Sequence, residues 1–591
     1  MKKQQLVVRW EHPIAILLVA AYLALAALFS VIVPVYETPD EPGHFDLIAQ
    51  LINTKSLPVQ NVERPNYAHH PPLYYILAAI PASLAGVSDN TAMPQLKPDF
   101  SWPGTDSPAV AAHKTAETFP YRGRTLAIHL ARAVSVLCGA LTVILTIAIG
   151  WLLFPGQPEV GLLAAALVAF NPQFLFISGA VTNDGLVIAA CTGVLWQLLR
   201  TLQHPERLRE WIFLGMWAAA ALLAKSAALV VCGVVFLTWL IWSARRKSPA
   251  LSIKSGMAVG LTFVALAGWW FVRNQVLYGD PLGWRIYQQA WAEVLRVVPL
   301  TVRELPSLYD IQFRSFWGVF GWMNVHPGSW LYAAARVLLL GGVIGWIVAL
   351  RTGETRSFTT LQKGAVALFG AYIILQEAFI VYQNTIHNSS HAQGRYLFPV
   401  IAPLMLLVAF GIAALFPRKY GRSVLGVVSV SMAAISVFIL FGVIKPAYHV
   451  EPLPKLSLLT VPHRTNVRFG DMFVLEGYAW EMHEADQKIQ IRARLYWRAV
   501  TKPDFDYSVF VHALDANSQM LGQFDRSPGA QAGYPPSTWQ VGDIVADTWN
   551  VEIPRDDWQN GVRLLVGVYN WQTGERLMES SGSDQVVLDL K

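Results

Sequence analysis

The sequence predicts a polytopic α-helical membrane protein that ends in an all-β sandwich, and two patterns carry that prediction. The chain is 54% hydrophobic and only 14% charged, far from a soluble average, and apolar runs of about 20 residues, the length a helix needs to cross a bilayer, recur from Pro13 to Ile444. After Ile444 the long runs stop and apolar residues alternate with polar ones, the period of a half-buried strand.

The first run, Pro13 to Val33, carries no charge and no clear small-residue cleavage site, so it is expected to remain as an anchor rather than be removed as a signal peptide. Further candidate spans follow at about Ala133 to Phe154, Val160 to Thr182, Gly185 to Leu199, Trp211 to Ala224 and Ser226 to Ala244. The series continues with Ser255 to Val272, Ser329 to Leu350, Gly364 to Tyr382, Tyr396 to Phe416 and Ser423 to Ile444. That makes about eleven transmembrane helices.

The apolar run Pro72 to Ser88 is interrupted by Pro81, and counting it as a span would invert everything after it. Basic residues decide the matter, because they are retained on the cytoplasmic side. If the run does not cross, that side collects Lys2, Lys3 and Arg9, then Arg200, Arg207 and Arg209, then Arg245, Arg246, Lys247 and Lys254. Arg351, Arg356, Lys363, Arg418, Lys419 and Arg422 complete it. Pro72 to Ser88 is therefore read as a helix lying in or re-entering the outer interface. The expected division is a membrane domain, 1–445, with large outer loops 34–125 and 273–328, followed by an extracytoplasmic domain, 446–591. The N-terminus is cytoplasmic on this reading, and the membrane is a bacterial inner membrane.

In the last part, Ile489, Ile491, Ala493, Leu495 and Trp497 share one strand face while Gln490, Arg492, Arg494 and Tyr496 share the other. Similar runs at Phe473 to Trp480, Tyr507 to Ala513, Val545 to Ile553, Arg563 to Tyr569 and Gln585 to Leu590 predict an antiparallel sandwich.

The net charge of +6 follows from the membrane-orienting clusters and does not argue for nucleic acid as a partner. The three cysteines, Cys138, Cys191 and Cys232, all fall inside apolar runs, which excludes a disulfide framework. No Walker loop, dinucleotide fingerprint or Gly-x-Ser-x-Gly elbow stands where structure would support it.

The residues that could carry chemistry gather in the outer loops. Thr38-Pro39-Asp40-Glu41-Pro42-Gly43-His44 begins just past the first span. Adjacent carboxylates at a membrane surface can take a proton from an acceptor hydroxyl. They can equally be a helix start, with Thr38 as cap, Pro39 at the first helical position and acids in the first turn. His69-His70-Pro71-Pro72-Leu73-Tyr74-Tyr75 can start and anchor the interfacial helix. With His44, Asp40 and Glu41 in the same loop, His69 and His70 also offer donors to a divalent metal ion, although no known ligand spacing is present. Lys225, Arg395 and Arg273 fall at the outer ends of spans, where cations can hold a phosphate or sit as ordinary helix-end charges. Glu377 lies well inside a span and is expected to face the bundle.

On Asp40-Glu41 after the first span, the loop with His70-Pro71-Pro72-Leu73-Tyr74-Tyr75, Ala224-Lys225-Ser226 and Gln393-Gly394-Arg395-Tyr396, the chain resembles the GT-C superfamily of membrane glycosyltransferases. That superfamily includes protein O-mannosyltransferases and lipid A aminoarabinose transferases, and the resemblance covers roughly residues 10 to 445. Pro39-Asp40-Glu41-Pro42-Gly43-His44-Phe45 and Gly394-Arg395-Tyr396 are similar to a bacterial branch of predicted membrane proteins within it. The resemblance implies inverting transfer of a sugar from a polyprenyl-phosphate donor to an extracytoplasmic acceptor, whether cell-envelope glycan, lipid or protein. It further implies that Asp40 is the general base, that Glu41 orients the acceptor or base, and that Lys225 and Arg395, with Arg273 beside them, hold the donor phosphate. His44, His69, His70 and Tyr74 are its companions at an acceptor or metal site. Two other classes compete. A transporter or flippase of lipid-linked glycans predicts midplane charge pairs and internal repeats, and a non-catalytic glycan-binding envelope protein needs far fewer spans.

Overall fold

A computed structural model describes residues 13–87, 95–96, 110–113, 117, 119–246, 248–388, 392–448, 460–484, 488–529, 534–560 and 562–590. Its contacts divide the chain into two compact units, one of Met1–Asn90 with Gly123–Lys445 and one of Thr91–Arg122 with Pro446–Lys591.

The first unit is helical. In chain order its main helices are α1 (Pro13–Ile32), α2 (Glu41–Thr54), α3 (Leu73–Ala82), α4 (Gly123–Leu153), α5 (Pro158–Ala169), α6 (Pro172–Ser178), α7 (Asp184–Gln203) and α8 (Leu208–Ala224). They continue with α9 (Leu229–Arg245), α10 (Pro249–Tyr278), α11 (Trp284–Ala290), α12 (Leu305–Trp317), α13 (Ser329–Thr352), α14 (Thr360–Ile386), α15 (Ile401–Ala414) and α16 (Gly421–Phe438). Among the described residues nine helices are long and apolar enough to cross a membrane: α1, α4, α7, α9, α10, α13, α14, α15 and α16, the last two with α9 counted with their flanking turns.

The expected third span is broken. α5 and α6 meet at an angle of 64°, because Asn171 caps α6 by accepting from the Phe174 N–H at 3.0 Å and Pro172 opens the new helix. Taken together the two are long and apolar enough for a tenth crossing. The expected fifth span, α8, has 17 residues, about 25 Å of helix at 1.5 Å per residue, and packs along α7 and α10. Asn183 Nδ2 donates to the Ala224 carbonyl at one end of the α7–α8 hairpin, and Gln197 Nε2 donates to Glu210 at the other.

α3 is too short to cross. Its 10 residues span about 15 Å, and it packs on α2 and α4, in keeping with a helix that lies in the interface.

The second unit is a β-sandwich of β1 (His463–Phe469), β2 (Phe473–Glu484), β3 (Lys488–Ala499), β4 (Ser508–Leu514), β5 (Met520–Arg526), β6 (Ile544–Pro554), β7 (Arg563–Tyr569) and β8 (Val586–Asp589). One antiparallel sheet has the order β8-β7-β4-β5 and the other β1-β2-β3-β6. The inward residues of β3, from Ile489 to Trp497, pack with Val509, Val511, Leu564 and Val566 of the facing sheet, and Trp497, Trp539 and Trp549 are fully buried. Two strands were missed by the pattern, β1 and β5, and both are edge strands. Both are poor in apolar residues, with only Val467 and Phe469 in β1 and Met520, Leu521 and Phe524 in β5, so apolar alternation does not mark them in the sequence.

Candidate functional site

The site is built on a buried ion pair that sets the chain leaving α1. Arg132 of α4 uses all five of its N–H donors. Nε and Nη2 reach the two Glu41 oxygens at 2.7 and 2.6 Å, and Nη1 and Nη2 take the Ser30, Val33 and Pro34 carbonyls at 2.6, 2.8 and 3.0 Å. One of these carbonyls, Ser30, belongs to the last turn of α1, and the other two to the chain that leaves it. Glu41 accepts two further bonds, from the Val181 and Tyr36 N–H groups at 2.9 and 2.8 Å. Burial works to raise its pKa, but Arg132 and these two donors hold it below the usual value.

Glu41 is therefore a structural tether. Both oxygens are spent inside the protein and the side chain is fully buried, so it does not meet an acceptor. The expected helix cap also moves: α2 begins at Glu41, with Asp40 rather than Thr38 in the capping position. Asp40 does not cap with its side chain. Its backbone is left-handed, φ 68°, a conformation that costs a non-glycine residue about 1–2 kcal/mol, and its carboxylate points away from the helix.

That carboxylate meets residues from distant parts of the chain. Arg395 Nη2 donates to Oδ2 at 2.5 Å and the Tyr67 hydroxyl donates to Oδ1 at 3.1 Å. Two glycines permit these approaches. A Cβ on Gly43 would lie 2.6 Å from the Tyr67 ring, and one on Gly394 would lie 2.2 Å from the Phe316 nitrogen of α12. Arg395 also faces Asp184 Oδ2 at 3.6 Å, while Lys225 donates to Asp184 Oδ1 at 2.5 Å. Both cations lie over the Tyr396 ring, with 5.4 and 5.3 Å to its centroid. The result is an alternating chain of charge: Asp40, Arg395, Asp184, Lys225.

Asp40 is the accessible member. Its side chain is 33% exposed, against 5% for Arg395 and Asp184 and 16% for Lys225. Burial pulls its pKa up, but the Arg395 guanidinium, helped by Lys225, outweighs that and holds the carboxyl at about 2.

Asp184 was not singled out by sequence reasoning. The available signal was an acid in the short turn between two apolar runs, at the same level as Lys225.

These contacts also place four chain positions at one end of the bundle. Asp40, Asp184, Lys225 and Arg395 touch, so they share one end of the bundle. Counting α4 and the bent α5–α6 pair as the two crossings between Asp40 and Asp184 agrees with an α3 too short to cross. α7 runs away from that end and α8 returns along it, bringing Lys225 back beside Asp184.

The other expected residues are placed around this chain. Arg273 lies outside it: its Nη2 donates to the Pro58 carbonyl at 2.7 Å and its guanidinium stacks on Trp270. It ties α10 to the first loop and is not part of the cation pair. Tyr74 is buried, its hydroxyl bonded to Ser135 at 2.8 Å and to the Thr182 N–H at 3.0 Å, which makes it a packing residue. His44 Nδ1 bonds the Tyr75 hydroxyl at 2.8 Å, its ring stacks on His70 at 5.6 Å, and His69 lies 4.1 Å from His70. Burial depresses all three: His44 to about 4, His69 to about 3, and His70 well below its usual value. They are neutral rings beside Asp40. Among the described residues no three His, Cys, Asp or Glu side chains converge as metal ligands. Glu377 accepts from Gln312 of α12 at 2.9 Å and so faces the bundle.

Comparison with known proteins adds the following. A family model described as a predicted membrane protein, DUF2142, matches residues 107–405, a stretch that holds Asp184, Lys225 and Arg395 and starts after Asp40. No curated protein matches the sequence. Among solved structures the chain is similar to ArnT from Cupriavidus metallidurans bound to undecaprenyl phosphate, at 13% identity and a TM-score of 0.43 over 73% of each chain. It is similar to the archaeal oligosaccharyltransferase AglB from Archaeoglobus fulgidus, in complex with an inhibitory peptide and a dolichol-phosphate, at 12% identity and a TM-score of 0.37 over 73% of this chain and 55% of that one. It is also similar to the protein O-mannosyltransferase complex Pmt1-Pmt2 of S. cerevisiae, at 19% identity and a TM-score of 0.32 over 47% of this chain and 34% of that one.

Proposed function

The chain belongs to the DUF2142 family of predicted membrane proteins, and from that premise we propose that it is a glycosyltransferase of the GT-C type, moving a sugar from a polyprenyl-phosphate donor to an extracytoplasmic acceptor with inversion. One observation carries the reading. The carboxylate of Asp40, partly open and making no side-chain cap, is held against Arg395, which shares Asp184 and the Tyr396 ring with Lys225.

The chemistry follows from what each group can do. Lys225 and Arg395 present two cations at one end of a helix bundle, where the headgroup of a membrane-anchored phosphate lies, and charge-assisted bonds from both suit a phosphoryl group. The same cations stabilise the charge that develops on phosphate as the sugar leaves. Asp40 takes the proton of the attacking hydroxyl. At a pKa of about 2 it is ionised but weakly basic. When Arg395 turns to a phosphate, Asp40 loses its main partner and its proton affinity rises, so base strength follows donor binding. The neutral histidines and Tyr67 line the acceptor side and leave Arg395 as the main counter-charge of Asp40.

On this reading the site faces outward, with the N-terminus cytoplasmic, and the sandwich domain is extracytoplasmic. The experiment is reconstitution of the full chain in liposomes with a radiolabelled polyprenyl-phosphate sugar. Release of lipid phosphate coupled to labelled acceptor is expected; a protein that only moves the intact donor between leaflets is a flippase, and the transferase reading then falls.

A further inference from the structure

The transfer reaction changes the charge of the lipid. A polyprenyl-phosphate sugar is a phosphodiester with one negative charge. As the bond from the sugar C1 to the phosphate oxygen breaks, the acceptor oxygen bonds C1 and its proton passes to Asp40. The lipid leaves as a monoester, whose second ionisation lies at about pH 6. The product is thus more anionic than the substrate. A site made only of two cations would bind its product more tightly than its donor and would stall.

The structure holds a group suited to prevent this. Asp184 is 5% exposed and stands between the two cations, with Oδ1 on Lys225 Nζ at 2.5 Å and Oδ2 facing Arg395 Nη1 at 3.6 Å. Oδ2 has no hydrogen-bond partner, and neither does the buried Nε of Arg395. Inert buried ion pairs normally satisfy such atoms fully; this pair is held in reach but incompletely made. Glu41 and Arg132, a few residues away, show what a finished structural pair looks like in the same protein, with every guanidinium donor used.

Resting on the transferase reading, we propose that Asp184 is a positioning residue that competes with phosphate for Lys225 and Arg395, and so drives release of the lipid monophosphate. During donor binding the phosphodiester displaces part of the Asp184 contact. After transfer the carboxylate reclaims the cations, and the dianion leaves. The competition is stronger against the product in absolute terms, because a second negative charge beside Asp184 adds repulsion as well as attraction to the cations.

The sign of one substitution separates this role from a merely structural one. If Asp184 only anchors Lys225 and Arg395, Asp184→Asn loosens both and weakens phosphate binding. If Asp184 competes, Asp184→Asn tightens undecaprenyl phosphate by on the order of tenfold, tightens a polyprenyl methyl phosphodiester less, and slows steady-state turnover behind a burst of product. Binding is measured on the full chain in nanodiscs, with Asp184→Ser as a second neutral variant should the first fail to fold. Inorganic phosphate is the third probe; if it displaces the lipid monoester at equal affinity, the site recognises a free anion and the proposal falls. Weaker or unchanged monoester binding in the folded variant overturns the role of Asp184 and leaves the transferase reading standing. No binding of either lipid to the wild-type chain removes the transferase reading, and this inference with it.

Discussion

Arg395 Nη2 lies 2.5 Å from Asp40 Oδ2, across 355 positions of sequence. The pair joins the loop after the first helix to the turn that leads into α15, and it makes the carboxylate and the guanidinium one electrostatic unit.

Asp40→Asn keeps the shape and the Tyr67 contact but removes the base. Turnover is expected to fall by about 10² to 10⁴, while donor binding persists because Arg395 and Lys225 are both retained. Lys225→Ala and Arg395→Ala should lower both donor affinity and rate. A reconstituted transfer assay with a parallel lipid-binding measurement separates the two patterns; near-normal turnover in Asp40→Asn would show that the base lies elsewhere.

Glu41 and Arg132 are expected to fail differently. Removing one member of a fully buried pair strands a charge and costs about 3–5 kcal/mol, so Arg132→Ala and Glu41→Ala should unfold or misplace the first loop. Thermal melts of the detergent-solubilised chain test this. A Glu41→Ala protein with wild-type stability and no activity would instead return Glu41 to the reacting centre.

The histidines give the chain an acid sensitivity. His44 has a folded pKa of about 4 against an ordinary value of about 6.5, so the unfolded chain binds more protons between those values. Its contribution to stability is therefore complete above about pH 6.5 and is lost as pH falls toward 4; His69 and His70 act in the same direction. Melting temperature should fall steadily across that window, and His44→Asn should flatten the slope. Equal slopes in the two proteins would place the acid sensitivity elsewhere.

Orientation is tested by labelling. Glu63 and Ser357 are exposed, in the first loop and in the turn between α13 and α14. On the proposed topology an impermeant thiol reagent labels Glu63→Cys in intact cells and spares Ser357→Cys. The reverse pattern would turn the protein over in the membrane.

The fragment from Thr460 to Lys591 should fold alone, because both sheets and the core around Trp497, Trp539 and Trp549 lie within it. Near-ultraviolet circular dichroism and a cooperative melt are the readouts. Trp497→Ala should destabilise it by about 3–5 kcal/mol, and a fragment without cooperative unfolding would refute its independence.

What the sequence determined by itself is what local pattern can encode. Long apolar runs mark the helices because a lipid-facing segment has no other way to satisfy its backbone, and strong alternation marks the strands β2, β3, β4, β6 and β7. The basic clusters exclude Pro72 to Ser88 as a crossing, and α3 is indeed too short. Strands β1 and β5 were not legible, since each carries few apolar residues among its polar ones. Nor did the spacing of Pro39-Asp40-Glu41-Pro42 say which acid does what. Only the tertiary structure decided that, because the answer depends on partners far away in sequence: Arg132 saturates Glu41, whereas Arg395 and Tyr67 reach Asp40 and leave it partly open. Asp184 became visible for the same reason. A charge at a helix end has no role until the fold sets two cations beside it, and that juxtaposition is a property of helix packing, which no short stretch of the chain contains.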